Sequence, residues 1–207
     1  MSITNLAGQR GEQTVSGYNA GNVRVGALGD LIFSELQGRY AEMAYNKRIF
    51  TAVAMGVATT VVGTGMIGLQ LWNRTTSSNL VLLKASGMTI VTSASETDTV
   101  LAFGSGQTSA PSGQTAITGV TNNFLGGAAP GALALNAGTF TNAPVAMWNL
   151  MHNTAAIATT GEDIGFSIDF EGSIIVPPNY YVAFATVGAA AASGGQNLSL
   201  MWYEAPV

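Results

Sequence analysis

The distribution of charge along the chain is its most restrictive feature. No Asp, Glu, Lys or Arg occurs between Asp98 and Glu162, and no Lys or Arg follows Lys84 in a chain of 207 residues. Soluble monomers normally mix charges of both signs over their surface, and they use lysine to protect exposed strand edges. The C-terminal half lacks this protection, so we expect it to contact other protein.

Composition excludes several classes of function. Charged residues make up 9% of the chain, against roughly 25% in a typical soluble protein. Seven basic and four acidic residues occur up to Lys84, and seven acidic but no basic residues follow it. Neither part has the dense basic patch that nucleic-acid binding requires, so no direct nucleic-acid partner is expected. Because the chain has no Cys, disulfides, thiolate metal sites and a Cys nucleophile are excluded.

The first 50 residues differ from the rest and are predicted to form a separate region. Residues 1 to about 27 are rich in Gly, Asn, Gln and Ser, and they have too few large apolar groups to fold alone, which predicts an extended arm. Apolar residues at helical spacing then predict a helix from Asp30 to Phe50. Gly38 weakens that prediction, and a helix followed by a strand is the alternative. The main domain is predicted over residues 51–207.

The uncharged segment from Phe50 to Trp72 is long enough to cross a membrane as a helix. It contains four Gly and four Thr, however, and the run from Val61 to Gly65 (VVGTG) resembles a turn between two strands. We therefore expect two strands here, and no membrane partner.

The remainder of the chain has the pattern of an all-β protein. Short apolar segments recur between Gly, Ser, Asn and Pro clusters, without helical patterns between them, which predicts a β-sandwich or barrel. The region from Gly104 to Gly138 is of low complexity, and it is expected to form long loops or weak edge strands. The predicted strands are Ile67–Asn73, Asn79–Thr92, Thr97–Phe103, Ala143–Leu150, Ile164–Glu171, Tyr180–Val187 and Asn197–Tyr203.

Two of these strands have informative faces. Between Ile164 and Glu171 apolar residues alternate strictly with Gly, Ser, Asp and Glu, so one face is predicted to be core and the other solvated. In the last strand, Leu198 to Tyr203, both faces are largely apolar. Such a strand lies between two layers or against another subunit.

Residues capable of catalysis are scarce. His152 is the single histidine, so a histidine metal cluster is impossible, and a structural role is favoured over a catalytic one. Asp169 and Glu171 project from the predicted solvated face and are interpreted as ordinary surface acids, not as a hydrolytic or Ca²⁺ site. No enzyme activity, cofactor or metal is therefore expected. The aromatic residues considered for sugar stacking, and assigned instead to core or interface packing, are Trp72, Trp148, Trp202, Tyr180 and Tyr181.

The C-terminal quarter of the chain resembles a known family. The run from Ser173 to Gly188 (SIIVPPNYYVAFATVG) and the ending from Ser199 to Val207 (SLMWYEAPV) resemble jelly-roll virion proteins of tailed bacteriophages, notably trimeric capsid cement or decoration proteins. The resemblance implies a jelly-roll-like sandwich and a homotrimer made in the bacterial host cytoplasm. It also implies a place on the capsid surface of the virion, where the trimer bridges subunits of the major capsid protein.

Self-association is also expected on physical grounds, because a closed symmetric assembly buries the apolar patches and unprotected edges of a neutral β-domain. The alternative is a receptor-binding module of a head or tail fibre, with loops in residues 104–142 that bind host glycans. The residues expected at the oligomer interface are Tyr181, Leu200, Trp202 and Tyr203, and those expected to contact the capsid are Arg10, Arg24, Arg39, Lys47 and Arg48.

Overall fold

A computed structural model describes residues 40–90, 97–153, 165–188 and 195–207. The chain divides into two compact units, Met1–Glu42 and Met43–Val207. Of the first unit only residues 40–42 are described, so the predicted arm, most of the predicted helix, and Arg10, Arg24 and Arg39 lie outside the described residues.

The described part of the predicted helix is short. Helix α1 spans Ala41–Tyr45, and its end is closed by two backbone hydrogen bonds, from Lys47 N–H to the Ala44 carbonyl and from Arg48 N–H to the Met43 carbonyl. Lys47 has a positive φ of 62°, which is the left-handed conformation of a helix C-terminus. A strand begins at Ile49, so the prediction of a helix as far as Phe50 is wrong at this end. The helical spacing of apolar residues favours a helix only locally, and the pairing of Phe50 with Trp202 across the sheet stabilises a strand here instead.

Eleven strands follow within the described residues, and they confirm the all-β prediction. They are β1 (Ile49–Val57), β2 (Gly65–Trp72), β3 (Ser78–Thr89), β4 (Thr97–Gly104), β5 (Ser112–Ala116), β6 (Thr121–Asn122), β7 (Leu133–Thr139), β8 (Val145–Asn153), β9 (Gly165–Val176), β10 (Tyr181–Val187) and β11 (Gln196–Pro206).

The strands form two antiparallel sheets that pack as a sandwich. One sheet has five strands in the order β6-β1-β11-β3-β9, and the other has six in the order β5-β7-β2-β10-β4-β8. The segment considered for a membrane span forms β1 and β2, as predicted. Within the described ranges, none of the helices is long and apolar enough to cross a membrane.

The main core lies between the sheets. Alternation in β9 is confirmed, because Phe166, Ile168 and Phe170 face this core while the residues between them are exposed. In β11 the inward residues are Leu198, Leu200 and Trp202. Period-two alternation therefore gave the correct inner face of both strands.

A second apolar cluster covers the opposite face of the six-stranded sheet. In β10, Val182 and Phe184 belong to the main core, whereas Tyr181, Ala183 and Ala185 belong to this second cluster. The first six residues of β10 are consequently buried on both faces.

The low-complexity region is more ordered than expected. β5 and β6 are edge strands within the described residues, as one alternative predicted, but β7 lies inside its sheet, between β5 and β2. Leu135 in β7 is fully buried. The prediction of loops or weak edges was wrong for β7, because small residues such as Ala134 can pack in a sheet interior when long side chains from neighbouring strands fill the space.

Candidate interaction surface

Three of the four side chains expected at an oligomer interface are core residues instead. Tyr181 and Trp202 have 0% of their surface exposed, and Leu200 has 1%. The side chains of Leu200 and Trp202 lie between the two sheets, and Tyr181 lies in the second cluster. We correct the expectation for these three, because a side chain enclosed by its own domain has no surface left for a second subunit.

Tyr203, the fourth, is partly buried and faces away from the core. It pairs across the strands with Ile49 on one side and Val81 on the other, and Val81 in turn pairs with Ile175. These four residues form an apolar row across the outer face of the five-stranded sheet, in which Ile49 is buried and Ile175 is exposed. A role for Tyr203 in self-association stays a prediction.

Lys47 and Arg48, which were expected to contact the capsid, are exposed between α1 and β1. The ammonium group of Lys47 lies 4.8 Å from the centre of the Phe124 ring. This distance fits a cation–π interaction. Their contact with a capsid stays a prediction.

The residues considered for chemistry have surface positions. His152 Nδ1 lies 2.5 Å from Asp98 Oδ1, and both side chains are substantially exposed. Asp169 and Glu171 are on the exposed face of β9, and Asp169 Oδ1 accepts a hydrogen bond from the Glu171 backbone N–H. This bond supports a bulge in which Glu171 and Gly172 both have positive φ, so Asp169 has a structural role.

Within the described ranges, no three His, Cys, Asp or Glu side chains come together as a possible metal site. Of the aromatic residues considered for sugar stacking, Trp72, Trp202 and Tyr181 are buried. Trp148 and Tyr180 are exposed, and they lie near the edge of the sandwich formed by β8 and β9.

This edge, which we call the open edge, is the most unusual surface of the domain. Within the described residues, β8 and β9 each pair with one neighbour only, β4 and β3 respectively. They lie on the same side of the sandwich, where the Trp148 ring contacts the Phe170 ring edge-on. β8 has nine residues and β9 has twelve, and neither contains Lys or Arg. The open edge therefore lacks the lysine that usually protects such strands.

A groove of about 330 Å³ lies between the two sheets at the open edge. Phe103 and Met147 are each exposed by about two fifths here, and Ile175, which also lines the groove but points away from the core, is 57% exposed. The lining of the groove contains no charged side chain among the described residues. The lining residues are Phe103, Met147, Ile174, Ile175, Val176, Pro177, Tyr180, Tyr181 and Val182. Val145, next to the groove in β8, is 62% exposed. An apolar groove of this kind is typical of a site that packs against protein.

Sequence reasoning missed this surface, although two signals were present. The runs from Val145 to Trp148 and from Ile174 to Val176 are continuously apolar. In a strand, every second residue of such a run must point away from the core. Where no further layer of the same chain covers that face, the outward residue is exposed, as Ile175 is. The missing information was which strands are at the edge.

Comparisons of the chain with protein-family models, with curated proteins and with solved structures found no match.

Proposed function

We propose that the protein is a structural virion protein that self-associates and decorates a capsid lattice, in the manner of capsid cement or decoration proteins. The observation that carries the proposal is the open edge, with its apolar groove and its two long strands without Lys or Arg. In a free subunit this edge exposes backbone hydrogen-bonding groups and apolar side chains together, which is the usual template for association.

Burial of apolar surface at the open edge would favour association. Stable interfaces bury on the order of 1,000 Å² or more, and apolar burial contributes about 25 cal/mol per Å². Closed symmetric assembly covers the edge in every subunit and leaves none free to recruit further chains. Because the lining of the groove has no charged residues among those described, association through it should depend little on ionic strength.

A virion component is supported by two features of the sequence. The resemblance of residues 173–188 and 199–207 to phage decoration proteins includes β10, which forms the middle of the six-stranded sheet. The lack of positive charge after Lys84 suits a part that packs against protein and not against nucleic acid.

The first test is the native mass of the purified protein, measured by light scattering over a range of protein and salt concentrations. We expect one discrete oligomer, with three subunits as the specific prediction, and the same mass at low and high salt. A single subunit that stays dispersed at high concentration would contradict the proposal.

The second test is electron microscopy of the virions that carry the protein. Cement places repeated density over the head lattice, whereas a receptor-binding module projects from a tail or spike. Density confined to a tail, together with binding of the isolated protein to a glycan array, would replace the proposed function with the receptor-binding alternative.

A further inference from the structure

The opposite edge of the sandwich presents an ordered apolar projection. In the five-stranded sheet, β6 and β1 lie at one end and β9 at the other. Immediately after β6, residues 123–128 form a loop, which we call the tip loop. Leu125 at its apex is 88% exposed, more than any other large apolar side chain in the described part of the chain.

The tip loop is held in place by a buried amide. Asn122 is 8% exposed, and its Nδ2 donates hydrogen bonds to the carbonyls of Lys47 and Ala128 at 2.8 and 3.1 Å. Its Oδ1 accepts a hydrogen bond from the Phe124 N–H at 2.9 Å. A Cβ on Gly127 would lie 2.5 Å from Asn122 Nδ2, so glycine is needed for this close approach.

The aromatic ring beside Leu125 is also supported. Tyr45 packs edge-on against Phe124 with ring centres 6.4 Å apart, and Lys47 lies over the same ring. The residue before the ring, Asn123, is anchored by the hydrogen bond that its backbone N–H donates to the Ile49 carbonyl. Leu125 is thus exposed on a loop with a defined conformation. Apolar side chains preorganised in this way are typical of interface anchors, because little conformational entropy remains to be lost on binding.

We propose that Leu125 of one subunit inserts into the groove at the open edge of the next subunit, so that identical chains join head to tail. This inference rests on the self-association in the proposed function and names the surfaces that carry it. The groove and the tip loop match in chemistry, since one is an uncharged apolar concavity and the other an apolar projection.

Charge at the two edges is complementary in sign. Lys47 is exposed beside the tip loop, whereas β9 at the open edge contributes the exposed carboxylates Asp169 and Glu171. Complementary charge at the rim of an apolar contact mainly fixes orientation and speeds association.

The positions of the two surfaces determine the symmetry of the assembly. A contact between two unlike patches of one chain is heterologous, and repeating it produces a ring if the rotation closes. A two-fold dimer would instead pair each patch with itself. Head-to-tail contact is therefore compatible with the trimer proposed above and incompatible with a two-fold dimer as the basic unit.

Cysteine crosslinking tests the contact, because the natural chain contains no Cys. The probes are Leu125→Cys and Ile175→Cys, both at exposed positions, treated with a short bis-maleimide linker. Mixing the two single variants should give a crosslinked dimer, whereas each variant alone should give none. The double variant should form a ladder that ends at the subunit number of the native oligomer.

Substitutions in the full-length protein provide a second readout. Leu125→Asp and Met147→Asp should each weaken association on the order of ten- to a hundredfold, the effect expected from placing a charge where an apolar side chain was buried. Ile67→Asp is the matched control, because Ile67 in β2 of the same sheet is 42% exposed and Met147 is 41% exposed. The control should leave the oligomer intact, and circular dichroism should show that all three variants are folded.

The possible outcomes separate the two proposals. If the unmodified protein is a single subunit, the proposed function is refuted, and the head-to-tail contact is refuted with it. If it is an oligomer but residues 125 and 175 do not crosslink, or if Leu125→Asp keeps its native mass, the head-to-tail contact is refuted while self-association stands. Crosslinking within Leu125→Cys alone or Ile175→Cys alone would show that like positions face each other, and it would also refute the inference.

Discussion

Replacing Gly104 with alanine should destabilise the domain, because Gly104 lies directly opposite Tyr181 in the β4–β10 pair. A Cβ at this position would be 2.3 Å from Cζ of the Tyr181 ring and 2.4 Å from its hydroxyl oxygen. The ring has little room to move, since it is fully buried, stacks on Phe140 with ring centres 3.7 Å apart and donates its hydroxyl hydrogen to the Asn142 carbonyl.

The size of the effect follows from the two ways in which the clash can be relieved. If the Tyr181 ring stays in place, overpacking costs about 1–3 kcal/mol. If the ring moves away, the hydrogen bond to Asn142 and the stacking on Phe140 are lost, at about 1 kcal/mol each. The two routes together predict that the Gly104→Ala variant loses about 1–3 kcal/mol of its free energy of unfolding.

The assay is denaturant unfolding followed by tryptophan fluorescence, at one fixed protein concentration because self-association also stabilises the folded state. Gly119→Ala is the matched control: Gly119 has no atom within 4 Å of an added Cβ and no positive φ, so its variant should be unchanged within about 0.5 kcal/mol. In a Tyr181→Ala background, Gly104→Ala should cost much less than it does alone. A small effect of Gly104→Ala by itself, or strict additivity with Tyr181→Ala, would refute the steric argument.

Three further predictions concern the core, alkaline pH and the tip loop. Leu200→Ala should lose about 2–5 kcal/mol of unfolding free energy, and an unfolding curve close to that of the unmodified protein would contradict its position in the core. Burial raises the pKa of Tyr181 from 10.0 to about 12, so the folded state favours the neutral phenol. The stability that this preference contributes is fully present below pH 10, and it should be lost as the pH rises from 10 to 12. At about 1.4 kcal/mol per pH unit, the loss of unfolding free energy is about 3 kcal/mol. The Tyr181→Phe variant should lack this part of the pH dependence. The same pH dependence in the variant and the unmodified protein would contradict the prediction. Asn122→Ala should cost about 1–3 kcal/mol and reduce crosslinking between positions 125 and 175, and unchanged crosslinking would show that this amide does not position Leu125.

The sequence determined the fold class through local patterns. The strict alternation in β9 predicted which residues face the core, because successive side chains of a strand point to opposite faces. The Gly and Thr content of residues 50–72 correctly excluded a membrane helix and predicted strands.

The candidate site depended on information that local patterns do not contain. Trp202 was expected at an interface because its strand is apolar on both faces, but an apolar pattern on both faces does not say what provides the second layer. In β10, that layer comes from the same chain, through residues such as Phe140.

The sequence by itself determined that the chain forms strands with one apolar face, and that its C-terminal half has too few charges to protect those strands. Only the tertiary structure decided the strand order, which places β8 and β9 at one edge and the tip loop near the other. Strand order is set by pairing between residues far apart in sequence, such as Lys84 with Asp169. Alternation along a single strand does not indicate which other strand it pairs with. For this reason Ile175 and Leu125 emerged as candidate contact residues from the fold and not from the sequence pattern.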